Sequence, residues 1–163
     1  MTNHEIRRFA LAGQVFISSG IFARSLVVWF LIAMAEMVHG TLRTIFLIPF
    51  VGDLRSRQIG VLTGSLIILA IAYFTINWIR ASRKSELLAV GLLWLVLMVS
   101  FEITLGRIFG LTWERILSDY LPSKGGFMVL GMVFLLLSPM IAALAMSLSS
   151  ASVIANALRL RKG

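Results

Sequence analysis

The sequence predicts an all-α fold, a four-helix transmembrane bundle with an N-terminal interfacial helix and a short outer amphipathic helix. Three observations predict it. First, 59% of the 163 residues are hydrophobic and only 13% are charged, whereas about 25% are charged in globular proteins. Second, four segments reach the roughly 20 apolar residues that a membrane-spanning helix needs. Third, lysines and arginines gather at the ends of these segments, where they set orientation.

Residues 1–24 are predicted to form an N-terminal interfacial segment. Their apolar run covers only about 15 residues, which is too short to cross a bilayer, and it is interrupted by Gly13, Gln14 and Ser18. Two arginines before an apolar run are also typical of a signal peptide. We expect a helix that lies on the cytoplasmic membrane surface, with its polar residues on the wet side.

The four spans belong to a predicted transmembrane domain over residues 25–148, followed by a basic cytoplasmic tail over 149–163. Short connections join the spans, so consecutive helices should be antiparallel. The expected bounds are approximately 25–50, 58–79, 86–109 and 127–146.

A short outer helix is predicted between the third and fourth spans. Its apolar residues recur at three- and four-residue spacing, polar residues take the other faces, and Pro122 ends it. This pattern is typical of an amphipathic helix on a membrane surface, with Trp113 and Tyr120 at headgroup depth.

The basic residues predict that both termini are cytoplasmic, because short cytoplasmic segments carry the excess of lysine and arginine. Nine basic residues flank the spans on one side, namely Arg7, Arg8, Arg24, Arg80, Arg83, Lys84, Arg159, Arg161 and Lys162. Four lie on the other side, namely Arg55, Arg57, Arg115 and Lys124. The net charge of +8 is therefore explained by orientation and lipid headgroups, and we expect no nucleic-acid partner.

A polar cluster is expected inside the membrane. Glu36, His39, Gly40 and Arg43 share one face of the first span, and this face should point to protein because a charge in lipid costs at least about 2.5–3.5 kcal/mol. Depth along the helices pairs Arg43 with Glu102 of the third span. It leaves Glu36 and His39 as mutual partners, and Gly40 should let another backbone approach closely.

Two interpretations of this cluster stay open. The pairs can fix the register of the helices, or they can form a proton relay, ligand pocket or cofactor site. The spacing of Glu36 and His39 matches one element of a di-iron site, but the further carboxylates are missing. No metal, no cofactor and no catalytic residue is therefore predicted, and a haem or pigment contact at His39 is a remote alternative.

Candidate contacts with lipids or partner proteins occur near the outer surface. Arginines can hold a phosphate or a carboxylate, and aromatic residues favour the membrane interface. The residues concerned are Arg55, Arg57, Trp113, Arg115 and Tyr120.

Three short patterns resemble a family of small bacterial four-span inner-membrane proteins with no known activity. The patterns are A-E-x-x-H-G-x-x-R from Ala35, G-D-x-R-x-R-Q from Gly52 and F-E-x-x-x-G-R from Phe101. The resemblance implies a location in the bacterial inner membrane and assigns no chemistry.

The function expected first is that of a non-catalytic accessory subunit or assembly factor of a larger membrane complex, because no catalytic constellation is complete. The expected partners are membrane lipids and other membrane subunits or further copies of the chain. The alternative is a small transporter, channel or proton-coupled carrier that uses the Glu/His/Arg cluster. An enzyme that acts on lipids or quinones is a third class. The lack of cysteine excludes disulfides and thiol catalysis.

Overall fold

The computed structural model describes residues 19–121 and 126–160, and this part of the chain is all-helical. Its five helices are α1 (Ser19–Val51), α2 (Asp53–Ile79), α3 (Lys84–Ile108), α4 (Trp113–Tyr120) and α5 (Met128–Leu160). All except α4 are long and apolar enough to cross a membrane. The predicted four-helix transmembrane fold is confirmed.

The two ends of the chain differ in detail from the expectation. The helix α1 begins at Ser19, before the predicted start of the first span, and α5 continues to Leu160. The predicted interfacial helix falls mainly on residues 1–18, which lie outside the described residues.

A π-helical segment, Arg43–Leu47, interrupts α1 near its C-terminal end. Here the N–H of Ile48 donates to the carbonyl of Arg43, five residues earlier. Pro49 follows directly and has no N–H with which to close a regular α-helical bond. The helix then ends at Gly52, whose φ of 79° permits the tight turn into α2.

The four long helices form a bundle in which α1 and α5 each pack against both α2 and α3. Trp94 of α3 is fully buried, and its indole N–H donates to the carbonyl of Ser25 in α1 over 2.9 Å. This contact fixes α1 and α3 relative to each other, because a buried indole N–H without a partner is costly.

The helices α3 and α5 approach each other closely at Gly91. A Cβ atom at this position would stand 2.0 Å from the carbonyl oxygen of Leu136. Nearby, Pro139 leaves the carbonyl of Leu135 without its helical donor, and the Ser138 hydroxyl donates to that carbonyl over 2.8 Å. The carbonyl of Leu135 in α5 thus keeps a hydrogen-bond donor despite the proline.

The short helix α4 closes one end of the bundle, which we call the α4 end. Thr112 accepts a hydrogen bond from the backbone N–H of Arg115 and so caps the helix. Ile116 is buried against Gly106 of α3, whereas Trp113 on another face is 53% exposed. The predicted amphipathic helix is therefore present.

Candidate functional site

A cavity of about 290 Å³ lies inside the bundle toward the α4 end. All four residues of the predicted polar cluster line it, which are Glu36, His39, Arg43 and Glu102. Arg57 of α2 and Asp119 of α4 join them, and apolar side chains of α3 and α5 form much of the remaining wall. The structure therefore brings ionisable groups from four helices to one cavity.

Two glycines of α2 make room for the charged side chains of α1. A Cβ at Gly60 would stand 2.7 Å from Cδ of Arg43, and one at Gly64 would stand 2.8 Å from Oε2 of Glu36. Neither glycine was among the predicted site residues, although G-x-x-x-G in a spanning segment is a known signal of close helix contact. The close approach expected at Gly40 is wrong, because a Cβ there would meet nothing within 4 Å.

Glu36 and His39 form the pair that their spacing predicts. Nδ1 of His39 lies 3.3 Å from Oε2 of Glu36, and Nε2 lies 2.8 Å from Oγ1 of Thr63. Thr63 can also donate to the carbonyl of Ile59 over 3.0 Å. The His39–Thr63 hydrogen bond forms in either tautomer, because Nε2–H can donate to Oγ1 and the hydroxyl can donate to a bare Nε2. Thr63 was not among the predicted site residues.

The contact between Nδ1 of His39 and Oε2 of Glu36 is a hydrogen bond when a proton lies between these two atoms. With an ionised Glu36, Nδ1–H of His39 is the donor, and Nε2 accepts from the Thr63 hydroxyl when the ring is neutral. Glu36, His39 and Thr63 thus form one chain of hydrogen-bonded groups, and Glu36 and His39 are the members of it that can carry a proton.

The predicted ion pair between Arg43 and Glu102 is wrong. Arg43 extends over Gly60 and donates to the Ser56 hydroxyl over 3.4 Å, so it faces α2 and not α3. Glu102 instead accepts a hydrogen bond of 2.9 Å from the hydroxyl of Tyr120 in α4. Burial and the neighbouring Glu102 carboxylate raise the pKa of Tyr120 above its ordinary value. The Tyr120 hydroxyl thus stays a donor at neutral pH.

Four charged side chains form a closed ring at the α4 end. Arg57 pairs with Asp53 at 3.1 Å and with Asp119, while Arg115 lies 2.9 Å from Asp119 and 3.7 Å from Asp53. Isolated exposed ion pairs contribute little, but a network in which each charge has two partners holds a defined geometry. This ring ties α4 to the start of α2 and forms the cavity wall with Arg57 and Asp119.

The predicted lipid or partner contacts have different surroundings in the structure. Arg57, Arg115 and Tyr120 are engaged within the chain, as described above. Trp113 stacks with Arg107, whose guanidinium carbon lies 5.1 Å from the ring centre. Arg55 is exposed and makes no polar contact with the part of the chain that the structure describes. Their role toward lipids or partners stays a prediction.

Three buried polar atoms on residues that line the cavity have no hydrogen-bond partner among the described residues. They are Oε1 of Glu36, Nε of Arg57 and Oγ of Ser65. Buried polar groups are nearly always paired, and each such exception calls for an explanation. One acceptor, one donor and one hydroxyl beside the cavity therefore have hydrogen-bonding capacity that the described residues do not use.

A metal or haem contact at His39 does not fit this site. Both ring nitrogens are engaged, one with Glu36 and one with Thr63, so no lone pair is available to a metal without breaking a hydrogen bond. Within residues 19–121 and 126–160, no three side chains of His, Cys, Asp or Glu converge as metal ligands.

Comparisons with known proteins leave the function open. No protein-family model, no curated protein and no solved structure matches the chain. The fold and the cavity define the class: a helical protein with four segments able to span a membrane and a polar cavity between them. The resemblance to small four-span bacterial proteins stays a prediction.

Proposed function

We propose that this protein is a proton-coupled carrier of a small organic solute. The observation that carries the proposal is the cavity that Glu36 and His39 line as a hydrogen-bonded pair of an acid and an imidazole. Ionisable residues within spanning helices are rare and typically serve ion or substrate pathways.

The proton-binding step rests on the geometry of the pair. Its Nδ1–Oε2 hydrogen bond of 3.3 Å joins two groups that can each carry a proton, and both of them line the cavity wall. The other charged groups of the cavity are Arg43 on the same helix, Arg57 from α2, Glu102 from α3 and Asp119 from α4.

The solute-binding step rests on the size and lining of the cavity. About 290 Å³ is at the lower end of the range for small-molecule sites. Such sites combine mainly apolar walls with a few convergent polar groups, and this cavity has both. The carrier therefore takes a solute of metabolite size and not a macromolecule.

The test uses the purified chain in proteoliposomes with a pH-sensitive dye inside. Organic cations, anions, zwitterions and uncharged solutes are added outside in turn. We expect at least one class to drive proton movement. In Glu36→Gln with His39→Asn, the proton movement should fall to background while the protein stays folded, because neither replacement titrates near neutral pH.

Thr44→Ala is the control, since the exposed Thr44 hydroxyl bonds only to the Gly40 carbonyl of its own helix. This variant should transport like the native protein. The proposal fails if no solute class moves protons with the native chain, or if the Glu36/His39 variant moves them equally well.

An accessory subunit remains the second candidate function. The observation in its favour is the end of α5, where every side chain that the structure describes from Ser147 onward is exposed, including Leu148, Val153 and Ile154. Such a helix end offers an apolar surface to another membrane subunit. The two functions differ in one result, because a carrier moves solute when it is reconstituted alone and an accessory subunit does not.

The proposed location is the bacterial inner membrane with both termini in the cytoplasm, supported by the nine-to-four distribution of basic residues. Reporter fusions after Lys124 and after Gly163 should then report opposite sides of the membrane. The same side for both fusions would contradict this orientation.

A further inference from the structure

We propose that the solute is a zwitterion with an apolar side chain, of the size of a small α-amino acid. Its ammonium group would lie between Glu36 and Glu102, and its carboxylate would face Arg43 and Arg57. This inference rests on the proposed function and names the substrate class of the same cavity.

The acidic part of the cavity is formed by α1 and α3. Oε1 of Glu36 is buried and accepts no hydrogen bond from the described residues. Glu102 lines the same cavity, and it forms no ion pair with any of the described residues. Two carboxyl groups that share a cavity in this way favour a cationic donor between them.

The basic part of the cavity lies closer to the α4 end. Among the described residues, Arg43 donates to the Ser56 hydroxyl over 3.4 Å and pairs with no carboxylate. Arg57 is already paired with Asp53 and Asp119, and only its buried Nε lacks a partner among these residues. Arg43 is therefore the guanidinium group without an acidic partner, and such a group can recognise a carboxylate.

The two opposite charges face one cavity without touching each other. A purely cationic solute would satisfy Glu102 and leave Arg43 unmatched, and a purely anionic solute would do the reverse. Leaving one buried charge unpaired is costly, so a solute that carries both charges is favoured over either alone.

Apolar side chains form a large part of the cavity wall. Met98 and Phe101 of α3 and Met132 and Leu135 of α5 contribute to it. Methionine side chains adapt to ligands of different shape. The solute should therefore carry an aliphatic or aromatic side chain.

The experiment measures binding to the full chain in lipid nanodiscs. Two matched sets of probes are used: leucine, 3-methylbutylamine and 4-methylpentanoate, and phenylalanine, 2-phenylethylamine and 3-phenylpropanoate. The three molecules of each set share a carbon skeleton. The amino acid carries both charges, the amine carries only the positive charge, and the acid carries only the negative charge. We expect at least one amino acid to bind at least tenfold more tightly than its amine and its acid.

Two variants separate the charged regions. Arg43→Gln should weaken binding of the amino acid at least tenfold and leave the amine unchanged, whereas Glu102→Gln should weaken the amino acid and leave the acid unchanged. The controls are Arg107→Gln and Glu114→Gln, since neither residue lines the cavity. Both controls should bind the amino acid like the native chain.

The results separate this inference from the proposed function. If solutes of another charge class drive proton movement and neither amino acid binds preferentially, the proposed carrier function is supported and the proposed zwitterionic substrate is wrong. If no solute of any class moves protons, the carrier itself fails. Equal binding of amino acid, amine and acid by the native chain also overturns the inference, whatever the variants do.

Discussion

Replacing Gly91 by alanine should destabilise the bundle by about 3 kcal/mol or more. The new Cβ would stand 2.0 Å from the carbonyl oxygen of Leu136, and this oxygen belongs to a helix backbone that cannot turn away. The helices α3 and α5 would have to separate, and the contacts on both sides of the crossing would be lost. Unfolding in detergent, followed by tryptophan fluorescence, measures the effect.

Gly40→Ala is the matched control, because a Cβ at Gly40 would meet nothing within 4 Å. There alanine should be neutral or slightly stabilising, since it favours the helix by about 1 kcal/mol over glycine. If the Gly91→Ala protein is as stable as the Gly40→Ala protein, the backbones of α3 and α5 are far enough apart at Gly91 to accommodate a methyl group, and the predicted clash is wrong.

Replacing Gly64 by alanine should leave the protein folded but abolish coupled transport. The added methyl group would stand 2.8 Å from Oε2 of Glu36, and this atom ends a flexible side chain that can move. The cost in stability should stay within about 1 kcal/mol, partly offset by helix propensity. The displaced carboxyl group would, however, lose its hydrogen bond to His39. Solute-driven proton movement in proteoliposomes should therefore fall at least tenfold.

Gly131→Ala provides the comparison for this variant. Gly131 lines the same cavity, but a Cβ there would stand 3.6 Å from Val61, an ordinary contact. Native-like transport by Gly131→Ala and by Gly64→Ala alike would contradict a role for the Glu36–His39 geometry. Loss of folding in Gly64→Ala would instead indicate that Glu36 cannot move.

The spanning helices could be predicted because their signal is a property of composition alone. A run of about twenty apolar residues in a bilayer forms a helix, because a helix satisfies all its backbone hydrogen bonds within the segment. This holds whatever the helix contacts. The helix ends were less predictable. Gly52 marks the end of α1 through its positive φ, whereas no comparable residue precedes Ser25, and the described part of α1 already includes Ser19.

The site could be predicted only where its partners lie on one helix. Glu36 and His39 are three residues apart, so helix geometry alone brings them together. Arg43 and Glu102 lie on different helices, and depth along the membrane does not give the direction in which a side chain points. Gly60 decides that direction, because its missing side chain leaves the space that Arg43 enters.

The π-helical segment Arg43–Leu47 has a consequence for any scan of α1 by labelling or mutation. A π-helical bond spans one residue more than an α-helical bond. Side chains after the segment are therefore rotated about the helix axis by about 100° relative to an uninterrupted α-helix. If the sides of α1 that face lipid and protein are assigned by α-helical periodicity starting from Glu36, the assignment will be wrong for residues after Leu47. Positions from Ile48 to Val51 should be read with a shift of one residue, or the lipid-facing side of this helix end will be mistaken for its buried side.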